Sequence, residues 1–265
     1  MGQIGGIRLH GYELRVHQDF HSELLPARDL LVALPPGYSA DASRRFPVLY
    51  LHDGQNLFGD SASPMSGSGW QIDRSAAALV AAGEIEPLIL VGIPNAGPQR
   101  ADEYTPTKDE EGKRGGNASA YARMVVEEIK PFIDGEYRTL SGRDTTGIGG
   151  SSFGALVSLN LGLTFPQIFG KLALLSLSWG WSQEHVLSQI AAVHAKPDTT
   201  IWLDHGTAEG DHITQANRAI RDALVAKGWT PGSDLRYTEF EGAQHTEQAW
   251  AERAPLFLRF LFPSK

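Results

Sequence analysis

The sequence predicts an α/β protein built on one mostly parallel sheet of eight strands, with antiparallel strands at its start and helices on both faces. Two observations carry this prediction. Short continuous apolar runs such as Val48-Leu49-Tyr50-Leu51 and Leu88-Ile89-Leu90-Val91 have the character of central parallel strands, which are covered on both faces. The first strand-like runs follow one another with no helix between them, whereas the later ones alternate strictly with helical patterns.

In chain order the strand-like runs are Tyr12–His17, Asp29–Leu34, Pro47–His52, Pro87–Ile93, Asp144–Gly149, Lys171–Ser176, Thr200–Asp204 and Leu235–Phe240. Across residues 118–133, Tyr121, Met124, Val125, Ile129 and Phe132 recur at helical spacing, and Pro131 predicts an end or kink. Residues 153–165 carry leucine and valine all round, which predicts a helix buried deep in the sheet packing. In 211–227 one stripe holds Ile213, Ala216, Ile220 and Leu224, with Asp211 as N-cap and Gly228 past the end. A last helix over 246–262 carries Trp250, Ala254, Phe257, Leu258 and Leu261 on one side. The stretch Asn95–Ala118, rich in Gly, Pro and charge, follows a strand and is expected to form a wall of a binding site.

The 265 residues show no repeat and no linker-like break, so residues 1–265 read as a single domain. A net charge of -8 without a block of like charge disfavours nucleic-acid binding, which needs a basic face. The absence of cysteine excludes disulfides, thiolate nucleophiles and Cys-type zinc sites. No apolar stretch reaches the roughly 18 residues of a membrane span, and no signal peptide is visible at Met1–His10. A cytoplasmic protein without membrane partner, cofactor or metal is the expectation.

Chemistry enters at Gly149-Gly150-Ser151-Ser152-Phe153-Gly154, which contains Gly-x-Ser-x-Gly centred on Ser152. The motif follows a strand and opens the buried helix, the context that a nucleophile elbow requires. Glycines two residues either side remove side chains that would clash in so tight a turn. The helix N-terminus then favours a developing oxyanion. Ser151 has the wrong spacing to the glycines. The eight-stranded order and this elbow together match the α/β-hydrolase architecture, in which acid and histidine follow the serine.

Of the later histidines only His245 lies just past the last strand, before the final helix. His205 and His212 come too early to be the base, although both could line the site. The segment ending the seventh strand offers Asp204, Glu209 and Asp211. Asp204 belongs to the strand, where its side chain can point away, and Asp211 has a capping role. Glu209 has no such role and is favoured as the acid, with Asp211 the alternative. One oxyanion donor is the N–H of Phe153. The second comes from the loop His52-Asp53-Gly54-Gln55-Asn56, with Gln55 the candidate and Asp53 holding the loop.

Several stretches in the right order resemble the "Putative esterase" family, related to enterochelin esterase, feruloyl and acetyl-xylan esterases, esterase D and the mycolyltransferases. The resemblance spans roughly residues 27 to 262 and is strongest in Val48 to Phe58. It continues in Arg100 to Pro106, Gly150 to Gly154, Gly206 to Glu209 and Gly242 to His245. It implies Ser152 as nucleophile, His245 as base and Gln55 plus Phe153 as backbone donors, and it strengthens Glu209. Leu177-Ser178-Trp179-Gly180-Trp181 resembles a family stretch ending in Trp, which implies that Trp179 and Trp181, with Asp53, border the substrate pocket. Where esterase D enzymes acting on formylglutathione usually carry His-Ser-Met-Gly, this chain has Ser-Ser-Phe-Gly, which places it nearer the enterochelin-esterase-like branch. The expected function is a serine carboxylic-ester hydrolase acting on siderophore, feruloyl, acetyl or other small esters. The alternatives are an acyltransferase using the same site and a non-catalytic binding module.

Overall fold

The computed structural model describes residues 3–59 and 69–264. Nine strands form one sheet: β1 (Gln3–Leu9), β2 (Tyr12–Phe20), β3 (Arg28–Leu34), β4 (Val48–His52), β5 (Ile89–Ile93), β6 (Thr146–Ser151), β7 (Lys171–Leu175), β8 (Thr200–Gly206) and β9 (Leu235–Phe240). Their spatial order is β1-β2-β3-β5-β4-β6-β7-β8-β9. The first three contacts, β1 to β2, β2 to β3 and β3 to β5, are antiparallel, and every later pairing is parallel.

The count of eight is therefore corrected to nine among the described residues. The extra strand is β1, paired from Gln3↔His17 to Leu9↔Tyr12. Its Gly5-Gly6 pair has little strand propensity, which hides it in the sequence. The signal that could have found it is the connection: His10 and Gly11 both take positive φ, 49° and 97°, as a tight two-residue hairpin demands.

Side chains alternate across the sheet. Val48 and Tyr50 join the core on one face, while Leu49 and Leu51 join the core on the other. The first core is covered by α3 (Ala118–Arg123), α4 (Lys130–Glu136), α5 (Phe153–Thr164), α6 (Gln183–Ala191) and α7 (Asp211–Ala226). The second is covered by α1 (Ile72–Ala81) and α8 (Glu247–Leu261), which pack on each other. The short α2 (Arg100–Tyr104) lies in the loop after β5. Among the described residues no helix is long and apolar enough to cross a membrane.

Two local expectations differ. Pro131 does not end its helix. A wide π turn over Met124–Ile129 joins α3 to α4, and this looser ladder lies just before the residue that has no N–H to give. Asp211 is not an N-cap. Gly210 holds that position at φ 96°, and Asp211 is the first helical residue, exposed, with its charge near the positive end of the helix dipole.

Candidate active site

The loops that leave the carboxyl ends of β4, β5, β6 and β9 meet in one region, the usual ligand side of such a sheet. A cavity of about 290 Å³ opens there, lined by Asp53, Gln55, Asn56, Trp70, Asn95, Arg100, Ser151, Ser152, His245, Glu247 and Trp250.

Ser152 sits between β6 and α5 at φ 58°, ψ -123°, a backbone state that a β-carbon disfavours. The neighbours hold it there. Its N–H donates to the Leu175 carbonyl at 3.0 Å, and its carbonyl accepts from Ala155, Leu156 and Ser178. The glycines of the motif prove steric. A β-carbon at Gly150 would lie 3.0 Å from the Gly154 backbone, and one at Gly154 would lie 3.2 Å from Asp53 Oδ2.

His245 lies in the turn after β9, and its Nδ1 is 2.8 Å from Glu209 Oε2. Its ring meets the Trp250 ring edge-on at 5.0 Å. The Glu209 side chain is wholly buried, and both of its carboxylate oxygens have polar partners. Oε1 accepts from Ser176 Oγ at 2.6 Å and from the Gly206 N–H at 2.7 Å, with Arg253 Nη2 at 3.4 Å. Burial works against its charge, but the hydrogen bonds from His245 and Ser176 outweigh it and hold the carboxyl below its usual range. The other two carboxylates of the segment are occupied differently. Asp204 turns to the α8 side, where it accepts from Arg253 Nη1 at 2.9 Å and Trp202 Nε1 at 2.6 Å, and Asp211 is exposed. His212 is exposed at the start of α7, and His205 is buried beside Tyr237, so neither lines the cavity.

The loop after β4 turns at Asp53, which is left-handed at φ 56°, into the single 3-10 turn Gly54–Asn56. Gly54 presses on β5. A β-carbon there would stand 2.6 Å from the Gly92 carbonyl carbon, so only glycine fits. Asp53 accepts from Asn95 Nδ2 at 2.6 Å and from Arg100 Nε and Nη2 at 2.7 and 2.8 Å. Its N–H donates to the Tyr104 hydroxyl. Burial works against the Arg100 charge, yet Asp53 more than offsets it and holds the guanidinium above its usual range. Gln55 lines the cavity and its Oε1 accepts from the Asn95 N–H. The N–H of Phe153 is the first of α5.

His52 is structural. It is buried with Nδ1 on the Tyr121 hydroxyl at 2.8 Å, and burial pushes it down to about 3. Trp179 and Trp181 do not line the cavity among its described residues. Trp181 lies behind Phe153 at 5.9 Å, donates to the Thr107 carbonyl and borders a separate surface groove, while Trp179 packs against the core. Sequence reasoning missed Trp70, Asn95, Arg100 and Glu247 as lining residues and Ser176 and Arg253 as partners of Glu209. The loop Asn95–Ala118 was the one signal that reached two of them.

A family model described as "Putative esterase" matches residues 23–258. The chain belongs to this family. It is an α/β-hydrolase-fold carboxylic ester hydrolase. The protein YbbA of Bacillus subtilis (strain 168) is 27% identical over 248 residues, covering 89% of this chain and 92% of that protein. The ferri-bacillibactin esterase BesA of the same organism is 25% identical over 223 residues, 76% of this chain and 73% of that protein. An IroE-like serine hydrolase from Shewanella oneidensis superposes with a TM-score of 0.75 at 22% identity, covering 94% of this esterase and 80% of that chain. The superposition bears on the fold alone.

Proposed function

We propose that the esterase works through an acyl-serine intermediate, with Ser152 as nucleophile, His245 as general base and Glu209 as the acid. The observation that carries this reading is the convergence of three groups. A serine held at positive φ opens the same cavity as a histidine whose far nitrogen is bound to a buried carboxylate. Ser152 attacks the ester carbonyl while His245 Nε2 takes its proton. Glu209 fixes the tautomer and stabilises the imidazolium. The N–H groups of Phe153 and Gln55 receive the oxyanion, at about 3 kcal/mol per donor in comparable chemistry. The alcohol leaves with the proton from His245, and water releases the acyl group by the same route. No cofactor is required for these steps.

The lining offers a small ester both aromatic and polar contacts. Trp70 and Trp250 supply aromatic surface, and Asn95, Arg100, Gln55 and Glu247 supply polar contacts. Siderophore, feruloyl, acetyl and other small esters are the substrate classes to screen, and the ferri-bacillibactin esterase among the relatives puts siderophore esters first. The test is hydrolysis of p-nitrophenyl acetate and butyrate beside Ser152→Ala, with fluorophosphonate labelling of both proteins. Activity and labelling that vanish together in Ser152→Ala are expected. Equal activity in the two proteins would refute Ser152 as nucleophile.

A further inference from the structure

Behind Glu209 lies a second carboxylate that the proposed reaction does not use. Asp204, two residues before the end of β8, is fully buried, as is Arg253 on α8 apart from 2% of its surface. Every nitrogen of the guanidinium is engaged inside the protein. Nη1 donates to Asp204 Oδ1 at 2.9 Å, Nη2 donates to Ser176 Oγ at 3.1 Å and stands 3.4 Å from Glu209 Oε1, and Nε donates to the Ala249 carbonyl of its own helix. Arg253 therefore stands between two carboxylates, closer to Asp204 than to Glu209.

Resting on the reading above, we propose that Asp204 is a positioning residue for the ester-hydrolysing site: it neutralises Arg253, so that the charge of Glu209 remains available to His245. The charge count gives the reason. With His245 neutral, Asp204, Glu209 and Arg253 sum to one negative charge, and the sum becomes zero when His245 takes the serine proton. Without the Asp204 charge the sum starts at zero and ends at one positive charge in a buried region. Proton uptake by His245 then runs against an uncompensated guanidinium. Burial is the largest influence on Asp204 and, with Glu209 adding to it, pushes its carboxyl up to about 6 against the opposing pull of Arg253, as expected for two carboxylates sharing one cation.

The surrounding charged groups leave this count intact. Glu247 from the first turn of α8 and the mutually neutralising Asp53–Arg100 pair line the cavity with His245; both are the same in every variant, so they add a constant to each sum and leave the differences between variants unchanged. His205, pointing to the opposite face of β8 and unpartnered at both ring nitrogens, is pushed down by burial. Ser176 Oγ, which donates to Glu209 and accepts from Trp250 Nε1 at 2.8 Å, couples the two halves of the cluster without adding charge.

The experiment measures kcat, KM and the pH profile of kcat/KM on p-nitrophenyl butyrate, per active serine titrated with a fluorophosphonate, in Asp204→Asn, Arg253→Met, the double variant and Ser152→Ala. Asp204→Asn is expected to lower kcat about tenfold, with KM within about threefold, and to move the acid limb of the profile about one unit to lower pH. Arg253→Met leaves the acid limb where it is or moves it upward, because Glu209 keeps its charge. The double variant, whose count is again one negative charge, regains the acid limb and most of the lost kcat relative to Asp204→Asn. An unshifted acid limb in Asp204→Asn overturns the proposal, as does an Arg253→Met profile moved to lower pH. Should Asp204→Asn not fold, Arg253→Met and the double variant decide by the same criterion. If Ser152→Ala keeps full activity, the site reading fails and takes this proposal with it. An inactive Ser152→Ala beside an unshifted Asp204→Asn overturns the proposal alone.

Discussion

Gly206, the last residue of β8, meets the site only through its N–H, which donates to Glu209, yet Gly206→Ala, which keeps that N–H, should cost the enzyme most of its activity. A β-carbon at this position would overlap the Ala243 carbonyl oxygen and come within 2.5 Å of the Ala243 carbonyl carbon and 2.9 Å of its β-carbon. Carbon atoms rest about 3.5 Å apart or more, so the turn carrying residues 242–245 must retreat by about 1 Å. The Ala208 N–H donates to that same Ala243 carbonyl at 3.1 Å, so a retreat also pulls on the loop that carries Glu209. A misplacement of 1 Å in a reacting geometry costs about 10²-fold. The expected result is a kcat/KM on p-nitrophenyl butyrate lowered about 10²-fold in a protein that still melts cooperatively. Gly206→Ala/Ala243→Gly should recover little, since the clash with the backbone carbonyl persists. A folded Gly206→Ala with wild-type kcat/KM refutes the reasoning that this contact fixes the His245 turn.

Three further outcomes are expected. Glu209→Gln must keep its carbonyl oxygen on the Ser176, Gly206 and Arg253 donors, so its amide N–H meets His245 Nδ1 and forces the wrong tautomer; kcat should fall about 10⁴-fold with the melting temperature little changed, read by steady-state kinetics and thermal unfolding. His52, held down to about 3 by burial, remains neutral in the folded chain while its unfolded counterpart charges near 6.5; stability is thus intact above that value and is lost as pH falls from 6.5 toward 3, and His52→Gln should remove about 2 kcal/mol of the difference between denaturant melts at pH 7 and pH 4.5. The buried pair of Arg28 and Glu103, joined by bonds of 2.8 and 2.9 Å, should make Glu103→Gln about 3 kcal/mol less stable by urea unfolding, because Arg28 is left buried and unpaired.

What the sequence made legible is what a local pattern can carry. The runs at Val48 and Leu88 are strands because both faces are apolar, and each face went to a different core. Ser152 stood out because its turn needs glycine on both sides, and the clash distances at Gly150 and Gly154 are the physical form of that pattern. His245 and Glu209 were legible through order along the chain, since strand ends place loops in sequence along one edge. What local pattern cannot carry is a partner from another element. Arg253 reads as an ordinary charge on a helix, and only the docking of α8 under β8 gives it Asp204 and Ser176. Trp179 and Trp181 failed in the reverse direction: their position after β7 is right for the site, but the chain turns at Gly180, whose φ is 53°, and carries Trp181 behind Phe153.

Backbone strain shows how the sheet is tied to the chemistry. Six described residues other than glycine take positive φ, and three of them, Asp53, Ser152 and Ser176, lie just beyond β4, β6 and β7. Those strands are neighbours in the sheet. Such residues cost about 1–3 kcal/mol each, so their concentration on one edge needs compensation there. Each is compensated by bonds that also serve the site. Asp53 holds Asn95 and Arg100, Ser152 is bracketed by Leu175 and Ser178, and Ser176 joins Glu209 to Trp250. The Ser176 N–H also donates to the Asp204 carbonyl at 2.7 Å, and the Ser152 N–H to Leu175, so these two strained turns are pinned to the end of the adjacent strand, while the Asp53 N–H is held by the Tyr104 hydroxyl. A sharp turn at three adjoining strand ends exposes a side chain or a loop N–H where a gentler exit would bury it. The geometry that strains the backbone is therefore the geometry that gathers Ser152, the loop after β4 and the support of Glu209 around one cavity.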